Sequence, residues 1–315
     1  MVNKEDLNII EKLYDFRVYD IDRLNSSSLN NVFYVYTSIG EFVVKIYSSQ
    51  VNKSWISFQE NHINYLIKNK LINKNLFIKN IYGHYFSSTN NYYVCLSNYM
   101  NYNFFQLNNQ SNIRRAANFL AVLHRLESPH NFRHYRLPKL NHYFVDENEL
   151  RKDQKISHQD IEKLKSNYYN FKNSLKIIEE NIDLLPKCII HGDIHSRNIL
   201  FNNSQIIVID WDDSCIGPRI LDLLKAVYSL CKIKNGSFIF LRKNIKEFLI
   251  EYQSYVNLTE LELQLIKEFL MIIFTTNLTH YKSLTNISQK SWYLDWTFQA
   301  CAQIEGFESL FKSCH

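Results

Sequence analysis

No two cysteines of this chain stand in a CxxC pair, no uninterrupted apolar run is long enough to span a bilayer, and no long block of one charge sign occurs. Each absence excludes a class. Without CxxC spacing, Cys95, Cys188, Cys215, Cys231, Cys301 and Cys314 offer no zinc motif. A bilayer needs about 20 apolar residues in a row, and the opening MVNKEDLNIIEKLYDF is charged and amphipathic rather than an apolar signal core. A reducing, cytoplasmic setting without a membrane partner is therefore expected. The 36 Lys and Arg residues are interleaved with 31 Asp and Glu, for a net charge of +5. That scatter lacks the clustered patch of a nucleic-acid platform, so no nucleic-acid partner is expected. Gly and Pro are few while Asn, Ile, Lys and Tyr are plentiful. This bias reads as genome base composition and carries no mechanism. What remains is an ordinary globular balance, 46% hydrophobic and 21% charged, in 315 residues. That length suffices for two lobes with cores of their own.

The pattern along the chain changes once. A short helix is predicted from Lys4 to Leu13, followed by β-rich runs at Phe16–Leu24, Val32–Thr37 and Glu41–Tyr47. Ser54 is a plausible N-cap for a helix through Ile67, and strand-like segments continue to Leu96. A small antiparallel sheet with one inserted helix is the expected N-terminal lobe, residues 1–97. A connector rich in Asn and Tyr, near Ser97 to Asn103, leads to residues 98–315. There Ser111–Leu126 and Asp160–Ile182 read as helices, and helices dominate to the C-terminus. The expected fold class is α+β and bilobal, with no internal repeat.

The chemistry concentrates in HGDIHSRNIL, His191 to Leu200, and in the apolar segment IIVIDWDD that follows. Asp193 and Asn198 stand five positions apart, and a strand-like run then delivers Asp210. The set suits phosphoryl transfer. Asp193 is the candidate catalytic base, orienting an acceptor hydroxyl and taking its proton. Asn198 and Asp210 offer one neutral and one anionic oxygen to Mg²⁺ on a nucleoside triphosphate, and magnesium favours such a sparse protein set. His191 reads as structural. His195 faces either phosphate or acceptor, or packs within its own loop.

The run HGDIHSRNILF…IIVIDWDDSCIGPRILDL resembles the aminoglycoside phosphotransferase and choline kinase superfamily, whose fold is similar to protein kinases. The resemblance implies ATP, or GTP, with Mg²⁺ as cofactors. It implies that Lys45, in FVVKIY, contacts the nucleotide α- and β-phosphates and that Glu60 is its ion-pair partner. The nucleotide-covering loop falls at NSSSLNN, where Ser27 and Ser28 stand in place of the usual glycines and bind phosphate through hydroxyl and backbone groups. Ser97 to Met100 falls where backbone groups meet adenine, which makes Ser97 and Tyr99 nucleotide-binding candidates. Asp222 resembles a buried aspartate that fastens the catalytic loop, and His124 is read as packing or orienting, not catalytic.

The acceptor is expected against the C-terminal helices. Trp292, Asp295 and Trp296 lie close in sequence, and aromatics with a carboxylate can hold a cationic amine. Core packing of an aromatic helix is the competing reading. The expected activity is O-phosphorylation of a small molecule by a monomer or homodimer. An amine-bearing antibiotic leads as acceptor, with choline, homoserine or a sugar as metabolic alternatives. A protein kinase ranks lower, because too little chain separates Asp210 from Asp222 for a peptide-docking segment. A non-catalytic kinase-shaped protein is the reading from another class.

Overall fold

Alternation of apolar and polar residues in the first third produces sheet, as period-two patterns do. The computed structural model describes residues 4–24, 31–48, 51–89, 92–127, 132–151, 156–201 and 205–315. Ser27 and Ser28 lie outside the described residues. The chain divides into two units, Met1–Asn103 and Phe104–His315, at the end of the Asn- and Tyr-rich connector.

The first unit runs α1 (Lys4–Tyr14), β1 (Val18–Arg23), β2 (Asn31–Thr37), β3 (Gly40–Ser48), α2 (Lys53–Lys68), β4 (Phe77–Ile78), β5 (Phe86–Ser88) and β6 (Tyr92–Asn98). The strands form one antiparallel sheet in the order β1-β2-β3-β6-β4, with β5 also on β6. On β3, Phe42, Val44 and Ile46 point to one face and enter a core with Val35, Val94, Leu96 and Ile10 of α1. The pleat therefore turns Lys45 to the other face. The cap of α2 is Asn52 rather than Ser54. Its backbone is extended and its side-chain oxygen accepts the Ser54 N–H at 2.9 Å, so Ser54 already lies inside the first turn.

The second unit begins at β7 (Asn103–Phe104) and continues through α3 (Gln110–His124), α4 (Glu147–Leu150) and α5 (His158–Asn181). Four short strands follow: β8 (Lys187–Ile190), β9 (Ile199–Phe201), β10 (Ile206–Val208) and β11 (Cys215–Pro218). Then come α6 (Arg219–Leu230), α7 (Arg242–Gln253), α8 (Glu260–Gln264), α9 (Ile266–Phe274), α10 (Leu278–Ser283), α11 (Ile287–Ala302) and α12 (Ile304–Lys312). α5 starts two residues before Asp160, because Ser157 caps it and Asp160 completes the capping box. The most apolar helix, α9, lies in the core against α5, α6, α11 and α12. Among the described residues, no helix is long and apolar enough to cross a membrane.

Candidate active site

Two small antiparallel ladders of the second unit hold the HGDIHSRN loop. β8 pairs with β11 and β9 with β10, so the loop leaves one ladder at Ile190 and enters the other at Ile199. Its entry is tied down by Asp222 on α6, which is fully buried. One carboxylate oxygen accepts the His191 N–H at 2.7 Å and the other the Gly192 N–H at 2.9 Å. Burial works against ionisation of Asp222, but His124 and the loop amides hold its carboxyl below the usual range. His124 places Nε2 at 3.4 Å from Asp222 and Nδ1 at 2.8 Å from the Tyr252 hydroxyl, so its ring bridges the two.

His191 is completely buried, which pushes its imidazole pKa down and keeps it neutral. The Asp193 N–H donates to Nδ1 at 3.2 Å, so the ring proton sits on Nε2 and reaches the Ile209 carbonyl at 3.1 Å. The ring packs on Trp211 at 4.7 Å between centroids. A single neutral histidine thus ties the backbone before Asp193 to the backbone before Asp210. Gly192 has φ +84°, and a Cβ there would lie 2.5 Å from the Asp213 carbonyl oxygen, so only glycine fits.

The three predicted residues are gathered on this frame. Asn198 is buried. Its side-chain Nδ2 donates to the Asp193 backbone carbonyl at 2.9 Å, and its backbone carbonyl accepts the Ile209 N–H at 2.9 Å. Ile199 opposes Val208 in the ladder, which sets Asn198 beside Ile209 and next to Asp210. Asp210 takes a left-handed backbone, φ +65°, a conformation that Asp and Asn tolerate better than most residues. The side chain of Asp193 is 46% exposed, with Oδ2 at 3.5 Å from His195 Nε2. Desolvation would raise its pKa, but His195 and Lys225 outweigh it and hold the carboxyl down at about 2. His195 itself is oriented by the Arg197 N–H, which donates to Nδ1 at 3.2 Å.

The donor set fits a hard cation. The Asn198 NH₂ is committed to the loop, which leaves its oxygen for a ligand, and Asp210 supplies an anionic oxygen from the adjoining turn. Elsewhere, Glu147, His158 and Glu162 bring ligand atoms within 4.8 Å of one another. Ion pairs with Arg151 and Lys165 already engage both glutamates.

In the first unit, Lys45 is half-buried on β3, with Nζ 5.4 Å from the Tyr47 ring centre. Glu60 on α2 accepts the Tyr85 N–H at 2.9 Å and the Phe86 N–H at 3.2 Å, with His84 at 3.8 Å. Its pairing with Lys45 is carried by the resemblance. Ser97 is the penultimate residue of β6, its hydroxyl 3.5 Å from the Val43 carbonyl. Tyr99 donates its N–H to Glu41 at 3.0 Å and packs edge-on against Tyr34. On α11, Trp292 is 64% exposed and stacks on Trp296, which leans on Phe274. Asp295 lines a cavity of about 370 Å³ with Asp160, Lys290 and Tyr281; no catalytic-loop residue lines that cavity.

Several residues around the loop escaped the sequence reading. The Lys225 ammonium donates to the Gly192 carbonyl. Its place three residues beyond Asp222, on the same helical face, was an available signal. Tyr252 supports His124 from 128 positions away, and no local pattern announces it. The buried ion pair of Arg219 with Glu262, at 2.8 Å, pins the start of α6.

The fold is protein kinase-like. Residues 105–240, which contain the catalytic loop, match the sequence profile of the Phosphotransferase enzyme family, APH. The whole chain is similar in fold to a spectinomycin phosphotransferase in complex with ADP and spectinomycin: TM-score 0.68, 12% identity, covering 95% of this chain and 97% of that one. It is also similar to a microcompartment-associated aminopropanol kinase: TM-score 0.69, 15% identity, covering 98% and 100%. A Plasmodium vivax ethanolamine kinase is a further neighbour: TM-score 0.59, 14% identity, covering 98% and 85%. No curated protein sequence matches the chain. The sequence match to that family is confined to residues 105–240, and the whole-chain likeness to these kinases is one of fold.

Proposed function

We propose that this protein is an ATP- and Mg²⁺-dependent kinase that transfers the γ-phosphoryl group to a hydroxyl of a small molecule. The observation that carries the reading is the single hydrogen-bonded frame of His191, Asn198 and Asp222, on which Asp193 and Asp210 are both mounted. In this reading, Asp193 orients the acceptor hydroxyl. With its carboxyl held at about 2 it is a weak base, so the proton moves late. That is adequate for a loose transition state, in which positioning and charge neutralisation dominate. Asn198 and Asp210 would hold magnesium, which when bound neutralises charge on the triphosphate. Lys45 serves the α- and β-phosphates, Glu60 positions it, and Ser97 and Tyr99 lie along the adenine-binding segment. His195, 3.5 Å from Asp193, helps hold that carboxyl below its usual range and faces the acceptor.

For the acceptor, an amine-bearing antibiotic rests on Asp295 with Trp292 and Trp296, and a metabolic alcohol such as homoserine, choline or a sugar is the alternative. A scaffold without catalysis has no need of Lys45, Asp193, Asn198 and Asp210 together. The test is an acceptor panel with ATP and Mg²⁺, read by mass spectrometry for the gain of one phosphoryl group. The parent is expected to modify at least one alcohol, and Asp193→Asn to lose about 10²–10⁴-fold in kcat. Equal turnover by parent and variant would overturn the role of Asp193.

A further inference from the structure

Beside the catalytic loop, the second unit encloses a cavity of about 170 Å³ that the mechanism above does not use. Arg133, Arg136 and Lys225 line it, and a single carboxylate, Asp213, stands among them. The backbone of Gly192, one residue before Asp193, forms part of its wall, and Ile190 and Leu221 make an apolar floor.

The two arginines are held there by backbone. Their segment adds to the edge of β11: the Ile216 N–H donates to the Arg133 carbonyl and the Tyr135 N–H to the Ile216 carbonyl, both at 2.7 Å. Among the described residues, neither guanidinium nor the Lys225 ammonium forms an ion pair with a carboxylate. Lys225 donates to the Gly192 carbonyl, so its charge is fixed against the catalytic loop, where it acts on Asp193. Arg133 and Lys225 also both act on the buried Cys215 in the wall, so their fields converge. Three cations beside one acid in a concave site with an apolar floor repel one another unless an anion joins them. Paired guanidinium groups suit the oxygens of a carboxylate or phosphate.

We propose that this cavity is the anion subsite of the acceptor: it binds a carboxylate or phosphate group of the molecule whose hydroxyl stands at Asp193. The proposal rests on the kinase reading and narrows it. At roughly 30 Å³ per water, the cavity has room for an anionic group on a short stem. The acceptor is thus a small alcohol that carries an acid, rather than a purely cationic amine.

The test uses the full chain in two arms. In the first, inorganic phosphate is titrated against protein saturated with Mg²⁺ and AMP-PNP, and the rise in melting temperature is followed. A saturable rise is expected. The double variant Arg133→Gln/Arg136→Gln, altered only at exposed side chains, should bind phosphate at least about tenfold more weakly. Its Mg²⁺–AMP-PNP affinity should stay within about twofold, since the nucleotide groups are untouched. An equal phosphate response in parent and variant overturns the site.

In the second arm, glycerate, ribose 5-phosphate, ethanolamine and spectinomycin are offered with ATP. Turnover of an acid-bearing alcohol is expected, with KM raised about tenfold or more in the variant, kcat moved less, and phosphate acting as a competitor. Turnover confined to ethanolamine or spectinomycin, with KM unchanged in the variant, overturns the proposal. So does phosphate that alters kcat without raising the acceptor KM, because a free anion would then be the ligand. If no probe turns over, the phosphate arm decides the site. If the parent fails to bind nucleotide, the kinase reading falls, and the phosphate titration without nucleotide still judges the cavity.

Discussion

Asp222→Asn isolates the tie that shapes the catalytic loop. Asp222 is fully buried, and its two oxygens accept the His191 N–H at 2.7 Å and the Gly192 N–H at 2.9 Å. An asparagine keeps the shape but has one oxygen, so its NH₂ must face one of these N–H groups. A buried hydrogen bond to a charged group contributes about 1.5–3 kcal/mol, and a donor left unsatisfied costs a further ~1–3 kcal/mol. The expected loss is about 3–5 kcal/mol. With m of ~2–3 kcal/mol/M, the urea midpoint should fall by about 1–2.5 M. Tryptophan fluorescence reports it, because Trp211, Trp292 and Trp296 all lie in the second unit and Trp211 packs on His191. The loop would also drift from its working geometry, and a misplacement near 1 Å can cost roughly 10²-fold in kcat. A midpoint within about 0.3 M of the parent, with kcat retained, would refute the assignment of Asp222 as the loop's anchor.

Three further outcomes follow from the same frame. Gly192→Ala sets a Cβ 2.5 Å from the Asp213 carbonyl oxygen at φ +84°; it should destabilise by about 2–4 kcal/mol in urea unfolding, and a neutral effect would contradict the close approach. His191 has its pKa lowered by burial, so the unfolded chain takes up its proton first as pH falls. Its contribution is complete above about pH 6.5 and is lost below, so urea stability should drop from pH 7.5 to 5.5 and drop less in His191→Asn; equal slopes would contradict a buried neutral ring. The Asp193 carboxyl, held at about 2, should give no acid limb in kcat near neutral pH. His195→Gln removes the neighbour 3.5 Å away that helps hold it there, and should move that limb to higher pH; an unmoved limb would refute the coupling.

The loop chemistry was legible because it is local. Asp193, Asn198 and Asp210 fall within one loop and one hairpin, where spacing alone predicts proximity. Lys45 was legible as a strand residue between Val44 and Ile46, and the pleat separates it from both. Helix starts slipped by one or two residues at Asn52, Asn109 and Ser157, because several residues near each start can cap and only the backbone selects one. The left-handed turn at Asp210 left no mark in the sequence, since Asp is common in many loops. Long-range supports were invisible for a different reason. Tyr252 behind His124, and Arg133 bonded along β11, meet their partners only through the fold.

Asn198 and Asp210 are proposed to hold metal-bound nucleotide while Asp193 acts on the acceptor. Calorimetric titration of ATP with and without Mg²⁺ into the parent, Asp210→Asn and Asp193→Asn tests it most directly. Asp210→Asn tolerates the same backbone turn and removes the anionic oxygen, so it should lose at least about tenfold of the Mg²⁺-dependent affinity, whereas Asp193→Asn should retain it. Undiminished Mg²⁺ dependence in Asp210→Asn, or its loss in Asp193→Asn, would contradict the account.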